Sequence, residues 1–157
     1  MKVVLVIIMI YAAITFITDL RERKMYSIPA NVLGLVVCMV SQITKGEDDI
    51  RLMIIMIVSF IVFRLMAKLK IWGEGDSDYL FMLTQIISTL SIDYGLVVFV
   101  FIELVVISLS LVLSVFIAFI ETRIKKEKLT RNFRAAALPG FCVLTQIICL
   151  IGVGIYE

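Results

Sequence analysis

The chain has 157 residues, 62% of them apolar and 18% charged, with a net charge of +2 and no histidine. Its mean hydropathy is +1.10, whereas a soluble domain holds roughly 45–50% apolar residues and must present a polar surface. One soluble core, a disordered chain and a disulfide-rich secreted scaffold are therefore excluded. What remains is a membrane protein with roughly five to seven crossings at about 20 residues each, leaving no room for a separate soluble domain. Cys38, Cys142 and Cys149 all fall inside apolar runs with no C-x-x-C pair, so they are packing residues, and neither a zinc site nor a disulfide framework is expected.

Six apolar runs can be drawn, at about 3–18, 28–43, 52–67, 79–92, 95–120 and 135–155. They predict a single all-α, polytopic domain over 1–157 with six transmembrane helices. The first run follows Lys2 as a signal peptide would, but it lacks a small-residue cleavage site and leads into another crossing. The third keeps its apolar character to Phe63, then gives Arg64 and Lys68, four apart on one helical face, where long stems snorkel to headgroups. The fourth spans only about 21 Å, short for a hydrocarbon core of about 30 Å. It also carries Thr84, Gln85, Ser88, Thr89 and Ser91. Such a helix belongs inside the bundle or beside a wet cavity, not against lipid. Glu103, about eight residues into the fifth run, has two readings. It serves a proton path or a polar contact to run four through Gln85 or a serine, or it is simply a protonated carboxyl bonded to a neighbouring helix. Thr145 and Gln146 suit the same interhelical bonding.

Cations set the orientation. The segments after runs one, three and five hold Arg21, Arg23, Lys24, Arg64, Lys68, Lys70, Arg123, Lys125, Lys126, Lys128, Arg131 and Arg134, twelve of the 15 Lys and Arg residues. Those loops are expected in the cytosol and both termini outside. The basic stretch 123–134 reads as an anchor on anionic lipid, and without interleaved aromatics no nucleic-acid partner is expected.

Two carboxylates stand out within that frame. Asp19 closes run one and Asp76 opens run four, both at the cytosolic level. A neighbouring pair of carboxylates shares one proton, so its ionised member can activate water while the other protonates a peptide oxygen. Without histidine there is no Ser-His-Asp or Cys-His alternative, and no phosphate-binding glycine loop occurs. Asp76 also suits an N-cap of run four, a role compatible with catalysis.

The carboxylates have distinctive neighbours. Asp19 leads into Leu20-Arg21-Glu22-Arg23-Lys24-Met25-Tyr26-Ser27, and Asp76 closes Gly73-Glu74-Gly75-Asp76. Together with the topology, these segments resemble the Gly-x-Gly-Asp intramembrane aspartyl proteases, in particular the type IV prepilin peptidases. The likeness runs from about Val3 to Leu90, with a faint echo at Leu138-Pro139-Gly140. It implies that Asp19 and Asp76 are the catalytic pair and that Gly73 and Gly75 shape the active-site loop. It further implies a prepilin-like substrate (pilin, pseudopilin or archaellin precursor) cut after a glycine at the cytosolic face of the plasma membrane, with no cofactor.

The chain departs from the family pattern in three places. Met25-Tyr26-Ser27 stands where many members have Ile-Pro-Asn, and Ile28-Pro29-Ala30-Asn31 follows three residues later. Asp78 stands where a lysine is usual; it is expected to be a solvated loop residue, as is Glu74. The paired C-x-x-C domain of longer members has no counterpart, so the likeness is to the short Tad-pilus and preflagellin-type enzymes, without methyltransferase activity or zinc. Two other readings fit the composition: a non-catalytic scaffold of a secretion or pilus system, and a small proton-coupled transporter using Asp19, Asp76 and Glu103.

Overall fold

A computed structural model describes residues 1–22, 25–45, 50–124 and 138–155. The described residues form six α-helices: α1 (Lys2–Glu22), α2 (Ser27–Lys45), α3 (Ile50–Lys68), α4 (Glu74–Ser91), α5 (Leu96–Ile124) and α6 (Leu138–Ile155). No strand occurs among them. All but α4 are long and apolar enough to cross a membrane. The fold is that of a membrane-embedded, all-helical bundle. The basic stretch 125–134 and the expected start of the last helix at 135 lie outside the described residues, as do Arg23 and Lys24.

The helices group as two triplets. In one, α2 and α3 flank α4; in the other, α1 and α5 flank α6; α4 also touches α5 and α6, joining the two. Every residue of α4 from Ser77 to Thr89 is buried. The polar run thus occupies the middle of the bundle, where other helices satisfy its side chains. By contrast α3 buries only Leu52, Ile55, Ser59 and Phe63, a narrow stripe at helical spacing. The rest of its surface is large and apolar, as on α5, and suits contact with lipid.

The α5–α6 contact depends on small side chains. Ser110, Ser114, Ala118 and Thr122 repeat every four residues along the buried side of α5. Gly140 of α6 presses into this row so closely that an added Cβ would collide with the Ser110 carbonyl and the Ser114 hydroxyl. The Gly140 amide donates to Ser114 Oγ at 3.0 Å, so the approach also satisfies an N–H group of the first turn of α6.

Two chain reversals set up the site. After α3, Lys70 N–H bonds Ala67 O and Ile71 N–H bonds Met66 O, at 3.0 and 3.1 Å. Lys70 takes a left-handed φ of 56°. This is a Schellman ending with lysine where glycine is usual. At the other end of α4, a 3₁₀ turn (Ile92–Tyr94) and Gly95, at φ 100°, reverse the chain into α5.

The helix limits correct one expected boundary and place one motif whose position the sequence left open. α4 begins at Glu74, five residues before the expected 79, because the polar residues before Tyr79 form its first turn. Ile28-Pro29-Ala30-Asn31 lies inside the start of α2, where proline needs no helical hydrogen bond. Met25 and Tyr26 are therefore the described part of the α1–α2 connection.

Candidate active site

Asp19 lies in the last turn of α1 and is buried, with 6% of its surface exposed. Asp76 is the third residue of α4 and is half-buried. Its carboxylate accepts a hydrogen bond from the Gly73 amide, the backward reach an acidic residue makes in a capping box. Ser77 N–H meanwhile bonds Gly73 O at 3.0 Å to close the first helical turn. Asp76 therefore does not take the expected N-cap position; Gly73 precedes the helix and Asp76 caps it from within.

Asp19 and Asp76 come from different triplets and lie within electrostatic range of one another at one end of the bundle. Burial, and then the nearby charge of Asp19, push the Asp76 carboxyl up to about 6, while the Gly73 amide pulls it down. Loss of solvent and a like charge both favour the protonated form, the condition under which a carboxylate pair retains a shared proton.

The two motif glycines do different things. A Cβ on Gly73 would stand 3.1 Å from Asp76 Oδ2, so the bare backbone leaves room for that carboxylate. At Gly75 the added Cβ would meet Met25 Cβ and Sδ, both at 3.2 Å. The second glycine thus lets the α1–α2 connection settle on the start of α4, and it does not touch the carboxylates. Trp72 pins the same loop from the other side, its ring 5.8 Å from that of Phe141 on α6.

An open cleft of about 740 Å³ runs up to Asp76, lined by Lys68, Lys70, Trp72, Gly73 and Glu74 among others. It gives water and an extended peptide a route to the carboxylate. Glu74 is exposed, as expected.

Asp78 is not solvated. It is 4% exposed and bonds Arg64 of α3, Nη2 to Oδ1, at 3.2 Å. Two residues turn a helix by about 200°, so Asp78 points away from the side that carries Asp76, and α3 rather than water covers that side. Arg64 is accordingly more than a headgroup anchor: it also stacks over the Phe60 ring, 5.5 Å from its centroid, and neutralises a buried charge.

Deeper on the same side as the pair lie groups the sequence did not mark. Cys142 of α6 is fully buried beside Tyr79 and within electrostatic range of both Asp19 and Asp76. Tyr79 in turn stacks on Tyr11, ring centroids 6.2 Å apart, and Tyr11 donates to Tyr26 O at 2.8 Å. These side chains form a packed floor beneath the carboxylates. A thiol in an apolar run looks like any other small core residue, so only its three-dimensional neighbours reveal it.

Glu103 accepts a hydrogen bond from Thr84, while Gln85 donates instead to Ser59 Oγ of α3 at 2.9 Å. The expected contact to run four exists, through a different residue. Thr145 donates to Phe141 O at 2.8 Å, and its side chain also reaches Tyr79 of α4. Among the described residues no three His, Cys, Asp or Glu side chains converge as metal ligands do. Comparison with family models, curated proteins and solved structures yields no match to the chain.

Proposed function

We propose that this protein is a membrane aspartyl endopeptidase. It cleaves the leader from type IV prepilin-like precursors at the cytosolic face of the plasma membrane, with Asp19 and Asp76 as the catalytic pair. The observation that carries this reading is the placement of two carboxylates from different helices, Asp19 and Asp76, within electrostatic range of one another at one end of the bundle, where burial and then the charge of Asp19 favour a proton on Asp76. The segments shared with the type IV prepilin peptidases add support, as does a polar cleft that ends at Asp76.

With one proton between them, the pair performs hydrolysis without any other group. Asp76 keeps that proton and Asp19 is ionised. Asp19 takes a proton from a water held between the carboxyls, and the water oxygen attacks the scissile carbonyl carbon. Asp76 gives its proton to the carbonyl oxygen, producing a neutral gem-diol. Collapse of the diol breaks the C–N bond; one diol proton returns to Asp76, and Asp19 passes its proton to the departing amine. The pair then again holds one proton. A helical backbone buries its carbonyls in hydrogen bonds, so the precursor must unwind around its cleavage glycine to present the bond.

The test is co-expression with a prepilin-like precursor, following the precursor-to-mature shift on a gel for wild type, Asp19→Asn and Asp76→Asn. Cleavage by wild type and by neither variant is the expected result. Intact precursor with several genuine partners overturns the reading in favour of a scaffold. A transporter would lose proton-driven flux on Glu103→Gln, a change that leaves most cleavage intact in a peptidase.

A further inference from the structure

Halfway along α4 a second polar cluster stands apart from the carboxylate pair. Thr84 donates to Glu103 Oε1. Next to it Gln85 donates to Ser59 Oγ, while Gln85 Oε1 is buried with no hydrogen-bond partner among the described residues. Thr84 is also the only hydrogen-bond partner of Glu103 among the described residues. Thr84, Glu103 and Ser59 form the polar floor of a lateral groove of about 370 Å³ between α3 and α5. Its walls are apolar: Val58 and Val62 on one side, Val100 on the other. Both walls pack on α4, whose buried middle closes the bottom of the groove between them.

The groove's chemistry selects its occupant. A lipid acyl chain would match the valine walls but brings no donor to the half-buried Glu103 carboxyl, which hydrocarbon leaves costly. A helix carrying an amide, hydroxyl or amine side chain matches walls and floor together. Depth then sets the register. Thr84 stands eight residues beyond Asp76, about 12 Å along α4 at 1.5 Å per residue. A substrate helix beside α4 climbs at the same rate.

Resting on the peptidase reading above, we propose that the groove between α3 and α5 takes the precursor's apolar stalk helix, with Glu103 and Thr84 bonding a polar side chain about eight residues past the cut. The first half of the stalk is then recognised by position: the carboxylates read the cleavage site and the groove reads one polar group at fixed depth.

The test uses a tagged precursor with a basic leader, a cleavage glycine and a leucine–alanine stalk carrying one asparagine at position 4, 8 or 12, or none. A photocrosslinking amino acid replaces Val58 or Val100 in the groove, or Val112 on an outward surface of α5, in the Asp76→Asn protein in membranes. The expected result is crosslinking from Val58 and Val100 and not from Val112. Asparagine at position 8 should raise the yield about threefold to tenfold, the worth of one interhelical hydrogen bond. Glu103→Leu removes that gain, and Glu103→Gln, which keeps an acceptor, retains most of it. Equal yields from all three sites, yields independent of asparagine position, or capture of lipid or of a second copy of the chain each overturn the proposal. Cleavage of the same precursors by the wild-type protein is scored in parallel. Cleavage without groove crosslinks sinks the groove alone, whereas absence of cleavage with every precursor sinks the peptidase reading.

Discussion

Asp76 and Asp78 stand two residues apart at the start of one helix and have opposite surroundings. Asp78 is buried against Arg64 of α3, its charge cancelled at 3.2 Å. Asp76 is half-buried and feels a like charge from Asp19. The same residue type sits in an ion pair on one side of α4 and is biased towards its acid form on the other. A difference of about 200° in helical angle is enough to do this, because α4 has a different neighbour on each side. The ion pair fastens α3 to the first turn of α4 and so fixes the direction in which Asp76 points.

The strongest way to break that contrast is to neutralise each carboxylate in turn. Asp76→Asn and Asp19→Asn should each lower the rate of precursor cleavage by about 10²–10⁴-fold, the usual worth of a positioned acid or base. Asp78→Asn should stay within about tenfold of wild type in the same gel assay, since it removes a neutralised group. Equal losses at Asp76 and Asp78 would erase the distinction between them.

Stability should show the reverse pattern. Arg64→Leu strands a buried carboxylate and should cost about 2–4 kcal/mol, measured by thermal unfolding in detergent. Asp78→Asn leaves an arginine that can reach headgroups and should cost about 1 kcal/mol. The double variant Arg64→Leu/Asp78→Leu should recover most of the loss.

The pH dependence sharpens the contrast further. With the Asp76 carboxyl raised to about 6, the shared proton is present below that pH and leaves as pH rises through it. Cleavage by the solubilised enzyme should therefore fall on the alkaline side with a midpoint near 6, approaching tenfold per pH unit well above it. Asp78→Asn should leave that midpoint unmoved.

The smallest effects concern the glycines. Gly73→Ala crowds Asp76 Oδ2 and should cost about tenfold in cleavage rate, near 1.4 kcal/mol of overpacking. Gly75→Ala crowds Met25 at both its Cβ and its flexible sulfur end and should cost about two- to threefold, relieved only in part by adding Met25→Ala, which keeps the Cβ.

Much of this arrangement was legible in the sequence, and the failures have physical causes. Five helices announce themselves by unbroken apolar runs, and the central position of α4 follows from Thr84, Gln85 and Ser88, which suit neither lipid nor water. The start of α4 was missed because hydropathy marks where a helix becomes apolar, not where it begins. Asp78 was misread as solvated for a related reason. Its pairing with Arg64 joins residues fourteen apart on two helices, and no local pattern encodes a contact between helix faces. Asp19 and Asp76 stood out because carboxylates are rare at the edges of apolar runs. Cys142 beside them did not, since a thiol is ordinary in such a run.

Trp72, the single tryptophan of the chain, sits four residues before Asp76 with its indole against Phe141. The unmodified protein therefore carries a built-in optical probe at the mouth of its cleft. Its ultraviolet emission comes from that one location, so any rearrangement of the loop against α6 registers as a change in colour or quenching, with no label introduced.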